Sequence, residues 1–110
     1  MNVQIFGKSK CFETKKAERY FKERGIKYQS VDIMAKGLSK GELTSVIAAL
    51  GGIENVVDEK ARDYCMIQYL VKEDWFEKLM ENPKLFRTPI VRNGKKATTG
   101  YRPEVWKLWE

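Results

Sequence analysis

Histidine is absent from this sequence, and cysteine occurs only as Cys11 and Cys65. Without histidine there is no Cys–His nucleophile pair and no Ser–His–Asp triad. A zinc site is not expected either, because four Cys or His ligands cannot be gathered within the chain. Two cysteines are poor support for a structural disulfide. No apolar run approaches the roughly 20 residues of a membrane span. The N-terminus, "MNVQIFGKSK", lacks an apolar signal core and a small-residue cleavage site, so a cytoplasmic protein is expected. No internal repeat, linker or low-complexity segment interrupts the chain. Any chemistry must therefore use thiols, Arg, Lys, carboxylates and backbone amides.

What is present suits one folded domain: 110 residues, 43% hydrophobic and 33% charged. The net charge of +6 favours anionic partners. No run of five or more like charges concentrates it, so a solvated basic surface is the equal alternative. Direct nucleic-acid binding finds no recognised motif and ranks last.

"VQIF" (Val3 to Phe6) is apolar and β-rich and predicts a strand ended by Gly7. Ala17, Tyr20, Phe21 and Arg24 fall at helical spacing, with Gly25 placed to stop the helix. "IKYQSVDI" (Ile26 to Ile33) predicts a second strand, and strand–helix–strand over about 30 residues implies a parallel pair. Ser39 and Glu42 form a capping box before the stripe Leu43, Val46, Ile47 and Leu50, which Gly51-Gly52 ends. Val56 to Gln68 suggests further helix of ragged period, and Trp75, Phe76, Leu79 and Met80 a short one. Asn93-Gly94, flanked by apolar residues, predicts a type I′ hairpin. Pro103 opens a terminal helix with Val105, Trp106 and Trp109 on its apolar side. The order β-α-β, helices, β-β, α gives an α/β fold: a four-stranded mixed sheet with flanking helices. That is the plan of a single thioredoxin-like domain over residues 1–110, with a helical insertion at about residues 39–82.

The first candidate functional residue is Cys11. It lies between a strand end and a helix N-terminus, where free backbone N–H groups and the helix dipole favour a thiolate. Lys8, Lys10, Lys15 and Lys16 surround it in sequence and add positive charge. The bland alternative is an inert, partly buried thiol. Thr14 stands where the second cysteine of a CxxC motif would stand, so "CFET" is a monothiol variant. Its hydroxyl is able to stabilise a thiolate, or it is an ordinary first-turn polar residue. Cys65, among apolar neighbours in "RDYCMIQYL", reads as a buried core cysteine rather than a resolving thiol. In "RTPIV", a cis Thr88–Pro89 bond would account for a proline at a buried strand, although an ordinary strand-start proline is the simpler reading. Arg102 offers an oxyanion or carboxylate a bidentate fork, or is simply exposed.

Three stretches, "IFGKSKCFETKKAERYFKERGIKYQSVDI", "LFRTPIVRNGKKATTGY" and "YRPEVW", together resemble the arsenate reductase (ArsC) and Spx-type family, in order, across nearly the whole chain. The resemblance implies a thioredoxin-like fold with a helical insertion. It implies a reactive Cys11, a cis Pro89 and an oxyanion contact at Arg102. In the arsenate reductases an arginine directly precedes the proline; here Thr88 holds that place and Arg87 the one before it. A further family arginine falls near Asp58 or Lys60. The activity implied is that of a thiol-dependent oxidoreductase in which Cys11 forms a mixed disulfide or reduces an oxyanion or disulfide. Arg102, Arg87, Thr14, Thr88 and Pro89 would bind substrate, no cofactor would be resident, and glutathione or another thiol would be co-substrate. Spx-type relatives imply the other possibility, a non-catalytic regulatory or adaptor module that binds a protein partner such as RNA polymerase.

Overall fold

β1 (Val3–Gly7) is the strand around which the chain is arranged. It alternates Val3 and Ile5 toward one face with Phe6 toward the other, and all three are buried. A strand apolar on both faces must be covered on both, which places it inside the sheet. β1 pairs in parallel with β2 (Tyr28–Asp32) on one side and antiparallel with β3 (Ile90–Asn93) on the other. β3 in turn pairs antiparallel with β4 (Lys96–Thr99), giving the order β2-β1-β3-β4. The computed structural model describes all 110 residues.

Two cores form, one on each face. Val3, Ile5 and Val91 meet Ala17, Tyr20 and Phe21 of α1 (Phe12–Glu23) and Trp106 of α4 (Pro103–Trp106). The Trp106 ring lies 5.3 Å from Tyr20 and 5.2 Å from Phe21, and its Nε1–H donates to the buried Thr98 hydroxyl at 2.8 Å. A four-residue helix cannot hold itself together. This indole anchors it. Phe6 and Ile90 face the other core, with Leu43 and Val46 of α2 (Lys40–Leu50) and Trp75 and Leu79 of α3 (Trp75–Glu81). The Ser39–Glu42 capping box forms as expected, and α2 ends at Gly51 in the left-handed conformation, φ 82°.

Three expectations fail. Residues Val56 to Gln68 are not an α-helix. The Asp58 N–H donates to Leu85 O and the Arg87 N–H to Val56 O, each at 2.8 Å. Their backbone groups thus form a long-range antiparallel bridge, Val57 opposite Phe86, and only a 3-10 turn follows at Arg62–Met66. Three-residue turns align Tyr64 with buried Ile67. Cys65 is turned out to solvent and is not a core residue. The hairpin is displaced by one residue: Asn93 pairs with Lys96, so Gly94-Lys95 are the turn. Gly94 has φ 60° and Lys95 is not left-handed, which fits type II′ rather than I′.

Trp106→Phe should cost about 1–3 kcal/mol by orphaning the buried Thr98 hydroxyl. Adding Thr98→Val should recover part of that loss, read from urea unfolding midpoints. If the two losses simply add, the bond is not what anchors α4.

Candidate functional site

Gly7 ends β1 on the α1 face, and α1 starts five residues later. A Cβ on Gly7 would lie 2.2 Å from Thr14 Cγ2 and 2.6 Å from Thr14 Oγ1. The missing side chain therefore lets the first turn of α1 sit directly on the strand end. Cys11 takes the N-cap position with extended dihedrals, φ −88° and ψ 114°, and its carbonyl accepts from the Lys15 N–H at 3.3 Å. Its sulfur is half-buried beside the free amides of the first turn. As a thiol, Sγ donates to Thr88 O at 3.7 Å. The Thr88–Pro89 bond is cis, and both residues are buried.

Burial pushes the Cys11 thiol up. Hydrogen bonds outweigh it, from the Thr14 hydroxyl, then the Thr88 hydroxyl, then the Thr14 and Glu13 backbone amides, and the net direction is below the ordinary thiol range. The Thr14 hydroxyl oxygen is buried and has no hydrogen-bond partner of standard geometry. A Cys11 thiolate is the charged acceptor nearest to hand for that hydroxyl.

The four lysines do little of this. Lys15 lies over the Phe12 ring and Lys16 over the Tyr101 ring, each 5.9 Å from the centroid. Lys10 is exposed. Lys8 alone turns inward, and its ammonium donates to Lys84 O at 3.0 Å and Phe86 O at 3.1 Å. It brackets the thiol loop to the segment that carries Thr88. Burial pushes the Lys8 ammonium down, partly offset by Asp58 and the Cys11 thiolate.

Cys11 opens into a groove of about 660 Å³ that also takes in Phe12, Asp58, Lys60, Arg87 and Thr88. The bridge between Val56–Asp58 and Leu85–Arg87 presents Arg87 to this groove. Asp58 and Lys60, where the resemblance sets a family arginine, line it too. Arg102 does not. It lies in an adjoining cavity of about 240 Å³, which shares Arg87 and Asn55 with the groove. The sequence-predicted residues Cys11, Thr88 and Arg87 thus meet in one groove, Arg102 stands next door, and Thr14 and Pro89 are buried and line neither cavity. Local reading missed Asn55, took Gly7 only as a strand stop, and gave Lys8 a charge role where the structure shows a tie to Lys84 O and Phe86 O.

A four-stranded mixed sheet with flanking helices and a cysteine capping its first helix, its sulfur facing the Thr88 carbonyl across the sheet end, defines a thioredoxin-like domain. The ArsC family model matches residues 6–108, so the chain belongs to the ArsC family. Global transcriptional regulator Spx 2 of Oceanobacillus iheyensis is 28% identical over 109 residues, covering 94% of this chain and 80% of the regulator. The arsenate reductase from Vibrio cholerae superposes with a TM-score of 0.84 at 25% identity, over 96% of this chain and 94% of that one. An ArsC family related protein from Bacteroides fragilis gives 0.87 at 20% identity, over 100% and 98%, a likeness of fold. The family thus joins arsenate reductase-like, thiol-dependent oxidoreductases with transcriptional regulators. No helix is long and apolar enough to cross a membrane.

The alkylation midpoint of Cys11 should lie below that of a free thiol and should rise in Thr14→Val and in Thr88→Val. Lys10→Ala and Lys15→Ala should leave it in place. A midpoint that follows the lysines instead would contradict this account. The folded thiol has the lower pKa, so its contribution to stability is complete above the ordinary thiol range. It is lost as pH falls through the folded value, and Cys11→Ser should remove that pH dependence.

Proposed function

We propose that the protein is a monothiol oxidoreductase in which Cys11 is the nucleophile. The Cys11 thiolate attacks one sulfur of a disulfide. A bond forms between Cys11 Sγ and that sulfur, the original S–S bond breaks, and the departing thiolate takes a proton from solvent. Glutathione or another thiol then resolves the mixed disulfide as co-substrate, because Thr14 cannot. The observation that carries this reading is the set of hydroxyl and amide donors converging on a half-buried sulfur that opens to a groove. Arg87 in the groove wall supports a role in substrate contact.

A second reading, an adaptor that binds a protein partner, is favoured by a separate surface. Met66, Tyr69 and Val71 are 69%, 87% and 62% exposed on one stretch of the segment between α2 and α3. Apolar side chains grouped in solvent commonly mark protein contacts.

Mass spectrometry after exposure to glutathione disulfide separates the readings. The wild type and Cys65→Ser should each acquire one glutathione, and Cys11→Ser none at that position. If Cys11 stays free at neutral pH while Cys65 reacts, the oxidoreductase reading fails. Under the adaptor reading, a purified partner would bind Cys11→Ser as well as wild type and lose at least roughly tenfold in affinity to Met66→Ser/Tyr69→Ser.

A further inference from the structure

Lys8 joins the two walls of the thiol site, with bonds to each. Its backbone belongs to the wall that carries the sulfur: the Cys11 N–H donates to Lys8 O at 3.0 Å, closing the turn that ends at the helix N-cap. Its side chain reaches the other wall, where the ammonium donates to Lys84 O at 3.0 Å and Phe86 O at 3.1 Å. Thr88 follows Phe86 by two residues in that wall.

Alternate residues of this second wall bond to different partners. The Arg87 N–H donates to Val56 O, and Leu85 O accepts from the Asp58 N–H. Lys84 O and Phe86 O are taken by Lys8. Phe86 is buried, so its carbonyl needs a donor, and the ammonium supplies to two carbonyls what a further strand would supply. The bonds to Val56–Asp58 hold this wall to the middle of the chain and not to the thiol loop. Across the thiol loop itself, the two short ammonium bonds stand beside one long contact, from Cys11 Sγ to Thr88 O at 3.7 Å. The nearest sheet pair is Phe6 with Ile90.

Charges of both signs surround the tie. Asp58, Arg62, Asp63 and Lys84 line a cavity of about 380 Å³ together with Lys8. Asp63 is held by the Asn82 amide, and Lys8 takes part in none of the ion pairs of the chain. On the sulfur side the groove is lined by Glu13, Glu54, Asp58, Glu59, Lys60 and Arg87. What sets the Lys8 ammonium apart from the other cations is its pair of short bonds, not its sign.

Deepening the oxidoreductase reading, on which it rests, we propose that Lys8 is a positioning residue for Cys11: its ammonium, bound to Lys84 O and Phe86 O, fixes how closely Thr88 stands to the sulfur and so sets the reactivity of the thiol. Lys8 acts through Thr88 and not as a counter-charge. Its effect then depends on bonds that salt does not screen, whereas the effect of an exposed cation fades with ionic strength.

The test measures the iodoacetamide rate of Cys11 against pH in Cys65→Ser protein as parent, and in Lys8→Met, Lys8→Arg, Thr88→Val and Lys8→Met/Thr88→Val made in it. Lys8→Met keeps an unbranched stem and removes the donors. It should raise the alkylation midpoint and, at a pH below the parent's midpoint, slow the reaction roughly threefold. Lys8→Arg, which keeps donors for two carbonyls, should restore most of the rate. The double variant should be no slower than Thr88→Val, because both changes act on one contact. The parent's midpoint should hold from low salt to about 1 M. Equal midpoints in Lys8→Met and the parent would overturn the proposal. So would Lys8→Met and Thr88→Val losses that multiply, or a parent midpoint that climbs with salt, since each reports a counter-charge. Where Lys8→Met does not fold, the salt series and Thr88→Val still decide, because a Thr88→Val midpoint equal to the parent's leaves Lys8 nothing to act through. A parent Cys11 that iodoacetamide does not modify at neutral pH is a separate result, and it removes the oxidoreductase reading itself.

Discussion

The contact between Gly7 and Thr14 sets the geometry from which the rest of the site follows. A side chain at Gly7 would overlap Thr14 at 2.2 Å, so α1 approaches β1 this closely only because that side chain is missing. The approach puts Cys11 at the helix N-cap, sets the first-turn amides beside its sulfur, and buries the Thr14 hydroxyl next to them. The opposite wall comes from a segment more than seventy residues away in the chain. Lys8 and the Val57–Phe86 bridge hold it in place. The sheet supplies two adjacent strand ends, at Gly7 and at Ile90, and these ties bring their loops into register around one atom.

Magnitudes decide how the thiolate is held. Charges on exposed side chains are screened within about 8 Å at physiological salt. Lys15 and Lys16 rest over aromatic rings instead of turning to the sulfur. Hydrogen bonds to a charged atom are each worth about 1.5–3 kcal/mol when shielded from water, and less at a half-exposed atom. The Thr14 and Thr88 hydroxyls and the first-turn amides act on Cys11 in this way, and together they outweigh its burial. The basic surface therefore acts on approaching molecules, and the reactivity of the sulfur is set locally. Lys8 is the exception, and it works mainly as a structural tie, because its ammonium is committed to two carbonyls.

Elements with a local cause were legible in the sequence. β1, α1 and β2 follow from apolar period, and the α2 capping box follows from two residues three apart. Elements with a distant cause were not. The stretch after Val56 looks helical in isolation, yet its backbone donors and acceptors are taken by Leu85 and Arg87. Cys65 has apolar neighbours in sequence, but a 3-10 turn buries Ile67 and leaves the sulfur in solvent. Proximity to Cys11 in the chain likewise misassigned the lysines. Cys11 itself was legible because a thiol between strand and helix meets free amides whatever surrounds it. The Gly7–Thr14 contact was not, since a glycine ending a strand reads first as a stop.

The placement of the arginines follows from the same ties. Thr88 stands at the position where the resemblance expects an arginine, and its hydroxyl helps to lower the Cys11 thiol. Arg87, one residue earlier, has its N–H bound to Val56 and its exposed side chain between groove and cavity. Arg102 is held on the far side of that wall by Thr99 O. Activation of the nucleophile thus falls to Thr14, Thr88 and the α1 amides and not to the cations around it, which leaves the Arg87 side chain at the groove wall free for another task.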